Sequence, residues 1–117
     1  MPNPKDKSLK IQVERQGPNA VVRLSGFAGM MEDQQIRQCL GELAADKVAV
    51  VVLDLSDLEW IGSAGLGAIV YGHLKGRHHQ GQIRLACPRP NVLEVLKRTC
   101  LNKLFEICPS VAEALHP

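Results

Sequence analysis

Residues 48–67 read VAVVVLDLSDLEWIGSAGLG, and this stretch decides the fold. Its first six residues are apolar, with valine at four of the six positions, which is typical of a central strand covered on both faces. Residues 54–60 predict a polar connection. Residues 63–77 predict a helix, although each of its four glycines costs about 1 kcal/mol relative to alanine. The residues expected on the inward face of this helix are Leu66, Ile69, Val70, His73 and Leu74.

Shorter patterns on both sides of this stretch predict the remaining elements. Ile36, Leu40 and Leu43 recur at helical spacing, and alternating apolar residues indicate strands. The predicted elements are a strand hairpin at 9–13 and 20–24, a flexible loop at 25–29, a helix over 32–45, strands at 82–87 and 105–108, a helix over 91–99 capped by Asn91, and a helix starting near Ser110. Together they predict an α/β protein with a mixed sheet of about five strands and about four helices.

The length and composition fit one compact domain. The chain has 117 residues, of which 45% are hydrophobic and 22% are charged, as in ordinary globular proteins. Residues 1–8 contain two prolines and three charges, and they predict a flexible tail ahead of a single domain over residues 9–117.

Several classes of protein are disfavoured by the composition. The net charge of +2 is small, and the basic residues are scattered without interleaved aromatics, so no direct nucleic-acid binding is expected. No apolar run approaches the roughly 18 residues of a membrane span, so no membrane insertion is expected. The N-terminus lacks the apolar segment of a secretory signal. Four cysteines without C-x-x-C spacing predict reduced, packed thiols in the cytoplasm.

No catalytic or metal site is predicted. Asp54 and Asp57 have no recognisable catalytic histidine or lysine nearby, so we expect Asp54 to bind loop amides and Asp57 to be solvated. His73 and His78 are five residues apart, which is poor spacing for joint metal ligation. We therefore expect no enzyme activity, no metal and no cofactor.

Residues 54–56 (DLS) and 61–67 (IGSAGLG) resemble the signature of the STAS domain. This family includes the bacterial anti-sigma factor antagonists and the cytoplasmic domains of sulfate transporters. The resemblance extends from about residue 9 to residue 115, and the ordered set of motifs is specific. Its later parts are residues 83–86, residues 90–96, Leu101, Leu104, Phe105 and residues 111–115. The resemblance implies a single STAS domain.

The resemblance also implies a function in partner switching. In the antagonist branch, an anti-sigma factor that is a serine protein kinase phosphorylates one serine of the domain. The unphosphorylated antagonist binds that kinase and releases a sigma factor, the phosphorylated form dissociates, and a phosphatase resets the cycle. By position this serine is Ser63. The implied protein is a cytoplasmic anti-sigma factor antagonist.

Two positions depart from the family pattern. Gly62 stands where the family carries aspartate, and residues 26–29 (GFAG) lack the carboxylate that the family tends to carry there. Both positions belong to the end of the domain that faces partners. The absence of a carboxylate at Gly62 lowers the cost of bringing a phosphate to the neighbouring hydroxyl, but it also removes a possible partner contact. Alternatively, Gly62 permits a backbone angle closed to other residues.

Ser63 itself has two interpretations. Serine is a favoured N-cap, worth about 1 kcal/mol, so Ser63 is either a structural cap or a phosphorylation switch. A phosphate there would meet the free N–H groups and the dipole of the helix start, so the modification need not unfold the domain.

A partner surface is predicted around this serine. Trp60 points towards a partner if Ile61 points inward, and a core position for Trp60 is equally compatible with the sequence. Gly65 and Gly67 allow the helix start to approach either the sheet or a partner closely. The predicted partner-binding residues are Trp60, Gly62, Ser63, Ala64, Gly65, Leu66 and Gly67.

Two other functions remain open from the sequence. The same helix end could dock on the ATPase of a phospholipid-transport ABC complex, with the chain as an accessory STAS subunit. The chain could also be a scaffold component of a signalling assembly. The oligomeric state is not predicted.

Overall fold

A computed structural model of the chain describes residues 8–116. Its elements are β1 (Leu9–Gln16), β2 (Asn19–Ala28), α1 (Asp33–Ala45), β3 (Val50–Ile61), α2 (Ser63–Gly76), a 3₁₀ turn (Arg77–His79), β4 (Gln82–Ala86), α3 (Pro90–Arg98), a second 3₁₀ turn (Leu101–Lys103), β5 (Glu106–Cys108) and α4 (Val111–Leu115). This confirms the predicted α/β fold with a mixed five-stranded sheet and four α-helices.

The spatial order of the strands is the same as their order in the sequence. β1 and β2 form an antiparallel hairpin, and β3, β4 and β5 then add in parallel, each after a helical crossover. Because the strands β2 to β5 are parallel, their carboxyl ends meet at one edge of the sheet. The end of β3 and the start of α2 lie at that edge.

The two faces of the sheet carry cores of different size. On one face, buried residues of α1, α2 and α3 pack with alternate residues of the strands, among them Val51 and Leu53 of β3. On the other face, Val52 of β3 packs in a smaller cluster with Ala114 of the short helix α4. Val51 and Val52 therefore point to opposite faces, and both are buried, as predicted for a central strand.

β3 is longer than predicted. The expected polar connection over residues 54–60 is wrong, because β3 runs on to Ile61 and stays paired with β2 up to the pair Ala28 and Ile61. The expected loop over residues 25–29 is wrong for the same reason, since β2 continues to Ala28. Leu55 and Leu58 are fully buried, and two register shifts between the strands accommodate the irregular pattern. Both strands therefore reach the start of α2.

The helix α2 packs on α1 through a glycine. A Cβ atom at Gly72 would lie 2.5 Å from Cδ1 and 2.7 Å from Cβ of Leu40, so the two helices approach more closely there than a side chain allows. Leu66 and Ile69 are buried as predicted, whereas Leu74 is 52% exposed. The inward prediction for Leu74 is wrong because α2 turns Gly72, and not Leu74, towards α1.

Three smaller predictions also need correction or qualification. Asn91 is not an N-cap, because α3 begins at Pro90 after Arg89. The side-chain Nδ2 of Asn91 instead donates to the Glu59 carbonyl at 2.7 Å. All four cysteines are free, but Cys100 is exposed and not packed. Of the predicted tail, residues 1–7 lie outside the described residues, and the Ser8 carbonyl accepts a hydrogen bond from the amide of Phe27.

Candidate functional site at the start of helix α2

The site is built by the turn that joins β3 to α2. The amide of Gly62 donates to the Ala28 carbonyl at 2.9 Å, which fixes the turn to the end of β2. The first helical bond of α2 is donated by Leu66 to the Gly62 carbonyl at 3.0 Å. The amides of Ser63, Ala64 and Gly65 precede that bond, so the helix offers them no carbonyl acceptor. The turn therefore has N–H groups without helical acceptors at the positive end of a helix dipole.

Ser63 is an exposed residue inside this turn. It is the first residue of α2, and Gly62 is the N-cap residue, without a side chain that could cap the helix. The interpretation of Ser63 as the structural cap is therefore wrong. Within residues 8–116, no hydrogen bond from the Ser63 hydroxyl supports the fold, so its side chain is open to modification.

The ring of Trp60 lies over Gly62. A Cβ atom at Gly62 would lie 2.6 Å from Cη2 of the Trp60 ring, closer than such atoms approach in proteins, and 3.1 Å from Cζ3, which is a tight contact. The backbone of Gly62, with φ −101° and ψ −178°, is open to any residue. The interpretation that Gly62 permits a backbone angle closed to other residues is therefore wrong. The tryptophan ring occupies the space that a side chain at position 62 would fill.

Trp60 also forms one wall of a groove at the strand ends. Its side chain is 47% exposed, which confirms the outward orientation and rules out a core position. The groove has a volume of about 290 Å³ and is lined by Phe27, Gly29, Glu32 and Trp60. Phe27 and Trp60 are paired across β2 and β3, so they lie on the same face of the sheet.

Two glycines of the helix start differ in their surroundings. A Cβ atom at Gly65 would lie 2.8 Å from the Ala28 carbonyl oxygen, so α2 can approach the end of β2 only with glycine there. A Cβ atom at Gly67 would meet only Nη2 of Arg37, at an ordinary 3.6 Å.

Gly65 and Leu66 are buried, and the structure brings Trp60 to the surface together with Ser63. Ala64 and Gly67 are partly exposed.

The STAS domain family model matches residues 10–114, almost the whole chain. The chain belongs to the STAS domain family. It is similar to an anti-sigma factor antagonist from Mycobacterium paratuberculosis, with 28% identity, a TM-score of 0.85, and coverage of 98% of this chain and 96% of that one. This structural neighbour supports the antagonist branch of the family.

Two further structures share the fold of this STAS domain. The unphosphorylated form of the anti-sigma factor antagonist SpoIIAA is 21% identical with a TM-score of 0.80, and covers 91% of this chain and 93% of its own. The phosphorylated form of SpoIIAA, a Bacillus cell fate determinant, is 19% identical with a TM-score of 0.72, and covers 91% and 96%. At these identities the likeness shows the fold alone.

Asp54 of the STAS domain has a structural role. Its carboxylate accepts hydrogen bonds from the amide of Ser56 at 3.1 Å, from the Ser56 hydroxyl at 2.8 Å and from Nε of Arg23 at 3.1 Å. Burial by itself would raise the pKa of Asp54, but these hydrogen bonds outweigh it and lower the pKa below its usual value. Asp57 is exposed, as predicted. The pair shows no catalytic geometry.

The histidines and cysteines of the STAS domain also pack or bond locally. The His73 ring meets Phe105 edge-on at a centroid distance of 5.3 Å, and Nε2 of His79 donates to the Val48 carbonyl at 2.9 Å.

Burial raises the pKa of the Cys39 and Cys108 thiols, which disfavours the reactive thiolate. Among residues 8–116 no group of three His, Cys, Asp or Glu side chains could hold a metal ion. None of the helices in this part of the chain is long and apolar enough to cross a membrane.

Three residues near the site are not among those that the sequence predicted. Met30 and Met31 are 81% and 84% exposed in the segment between β2 and α1, and Glu32 lines the groove beside Trp60. The available signal was a pair of large apolar residues between the predicted loop at 25–29 and the predicted helix at 32–45. Only the pairing of β2 with β3 brings this segment next to Trp60.

Proposed function

We propose that the chain is an anti-sigma factor antagonist that binds a serine kinase of the anti-sigma factor class and is switched by phosphorylation of Ser63. In this proposal the chain is a cytoplasmic binding protein without enzyme activity, and a phosphatase resets it. Its partner surface is the predicted set Trp60, Gly62, Ser63, Ala64, Gly65, Leu66 and Gly67, with Gly65 and Leu66 supporting the exposed members from below.

The observation that carries the proposal is the position of Ser63. Its hydroxyl is exposed on the first residue of a helix, beside N–H groups that lack helical acceptors. The first turn of α2 contains no acidic residue that would repel a phosphate. A phosphate carries a charge of about −1.5 to −2 at pH 7, which suits the N-terminal end of a helix. The modified domain is therefore expected to remain folded.

Phosphorylation would act on the partner and not on the fold. A partner surface that fits the small hydroxyl of Ser63 has no room for three phosphate oxygens and their hydration. The added charge also lies close to the half-exposed ring of Trp60, where a partner would otherwise bury apolar surface. SpoIIAA, which shares this fold, has been determined in unphosphorylated and phosphorylated forms, in keeping with a domain that stays folded in both.

The test is phosphorylation and binding with the cognate kinase. The protein is incubated with the anti-sigma factor kinase and ATP, and the phosphate is located by mass spectrometry. We expect phosphate on Ser63, its loss in Ser63→Ala, and at least about ten-fold weaker kinase binding by Ser63→Asp, equivalent to about 1.4 kcal/mol.

Ser110 provides a matched control, because it also stands at a helix start. Its hydroxyl accepts a hydrogen bond from the amide of Glu113 at 3.1 Å, so it is a true N-cap, and aspartate is an equally good one. Ser110→Asp should leave kinase binding unchanged. Absence of phosphate on Ser63, together with full binding by Ser63→Asp, would rule the proposal out. Co-purification with an ABC transporter ATPase would then favour the transport alternative.

A further inference from the structure

We propose that the groove beside Trp60 receives a protein segment that presents one large aliphatic side chain flanked by lysine or arginine. This inference rests on the proposed function, since it specifies the chemistry of the partner at the same site. The groove is the surface defined by Phe27, Gly29, Glu32 and Trp60, with Met30 and Met31 on the adjoining segment.

Exposed apolar side chains are concentrated near this groove. Six large hydrophobic residues of the described chain are exposed. Trp60 is one of them and lines the groove, and Met30 and Met31 stand in the chain between two lining residues, Gly29 and Glu32. A volume of about 290 Å³ suits one or two aliphatic side chains. Methionine adapts its shape to a bound partner, and tryptophan is among the residues that contribute most to protein interfaces.

The Trp60 ring has a fixed place in this surface. It lies against Gly62, and its Cζ3 atom is 3.4 Å from the position that a Cβ atom would occupy at Gly29. The ring therefore rests on two residues that have no side chain. A carboxylate at position 62, as the family pattern has it, could not coexist with the ring in this position. The partner consequently meets an aromatic wall where the family pattern would offer a charge.

The unpaired charge around the groove is negative. The Glu32 carboxylate lines it, and Oε2 lies 3.2 Å from the Cβ position of Gly29. Asp57 is exposed and pairs with Ser25, two residue pairs before Phe27 and Trp60 and on the same face of the sheet. Within residues 8–116 neither carboxylate has an ion-pair partner, and the nearby Arg23 is paired with Asp54. A lysine or arginine flanking the apolar anchor would complement this charge.

A peptide probe tests this chemistry without the partner. Three fluorescently labelled nonapeptides are titrated with the full chain and followed by anisotropy. The first has a central leucine flanked by lysines, the second has the same leucine flanked by glutamates, and the third has a central serine flanked by lysines. We expect the leucine–lysine peptide to bind about three- to ten-fold more tightly than the leucine–glutamate peptide. It should also bind at least about ten-fold more tightly than the serine peptide.

Variants of the chain separate the apolar contribution of Trp60 from the charge contribution of Glu32. Trp60→Ala should weaken the leucine–lysine peptide about ten-fold, and Glu32→Gln should reduce the preference for lysine over glutamate about two- to five-fold. Leu74→Ala is the matched control, because Leu74 is an equally exposed apolar residue at the other end of α2. Equal binding of the lysine and glutamate peptides, or full binding by Trp60→Ala, would overturn the inference.

The kinase assay separates this inference from the proposed function. Trp60→Ala should weaken the complex with the cognate kinase about ten-fold without removing Ser63 as the phosphoacceptor. A chain that is phosphorylated on Ser63, but whose kinase affinity is unchanged by Trp60→Ala and Glu32→Gln, would sustain the function and overturn the groove. A chain that selects the leucine–lysine peptide, but is never phosphorylated, would sustain the groove chemistry and overturn the function.

Discussion

Gly62 and Gly65 lie three residues apart at the start of α2, and different neighbours exclude a side chain from each. At Gly65 the neighbour is the backbone of β2, because a Cβ atom would lie 2.8 Å from the Ala28 carbonyl oxygen. At Gly62 the neighbour is the half-exposed ring of Trp60, 2.6 Å from the Cβ position. The first obstacle is part of the sheet and cannot move, whereas the second is a side chain at the surface.

One short turn therefore contributes both to the packing of α2 on the sheet and to the exposed candidate site. Its inward positions hold the helix against the sheet, and its outward positions form the candidate site. The same division holds in β3, where Asp54 is buried and hydrogen-bonded while Asp57 is exposed. Substitutions at inward positions should therefore change the free energy of unfolding. Substitutions at outward positions should change the chemistry of the exposed site with little effect on that free energy.

The largest effect is expected for Gly65→Ala. The new methyl group would force α2 away from Ala28, so the free energy of unfolding should fall by roughly 2–3 kcal/mol. Gly67→Ala is the matched control, because its methyl group has room beside Arg37. It should raise the free energy of unfolding by up to about 1 kcal/mol through helix propensity. Urea denaturation of both variants measures the difference, and effects of equal sign would refute the assigned division.

A smaller effect is expected for Asp54→Asn. At neutral pH the variant weakens hydrogen bonds to a charged acceptor, so the free energy of unfolding should fall by about 1–2 kcal/mol. The pKa of Asp54 is lowered in the folded state, so its charge stabilises the fold above the ordinary aspartate pKa of about 3.9. That contribution is lost as the pH falls through the lowered pKa.

The check is urea denaturation of this variant between about pH 7 and about pH 3, where the difference from the unmodified chain should shrink. Asp57→Asn, which alters an exposed carboxylate, should stay within about 0.5 kcal/mol throughout. A difference at Asp54 that is independent of pH would show that the charge of Asp54 does not contribute to stability.

The smallest effect on stability is expected for Gly62→Ala. The methyl group only needs to displace the Trp60 ring, so the free energy of unfolding should change by no more than about 0.5 kcal/mol. Trp60 is the single tryptophan of the chain, so its fluorescence reports this movement directly. We expect emission at longer wavelength as the ring becomes more exposed to water, with no change in Gly67→Ala. An unchanged spectrum in Gly62→Ala would show that the ring does not rest on position 62.

Much of the fold could be predicted because its signals are local. The six-residue apolar run marked the central strand, and the spacing of Ile36, Leu40 and Leu43 marked the buried face of α1, where all three residues are found. The second half of β3 was missed because its polar residues hide the period of a strand. Those residues belong to β3 because β2 pairs with them, and that pairing is a tertiary contact.

The sequence by itself determined the order of the elements, the central strand and the place of Ser63 at a helix start, since all of these depend on residues close together in the chain. Only the tertiary structure decided that Ser63 is not the cap, that Trp60 covers Gly62, and that Glu32 and Trp60 line one groove. These relations depend on where the ends of β2 and β3 meet and on which way a ring turns. Neither local propensity nor the backbone angle of Gly62, which any residue can adopt, specifies them.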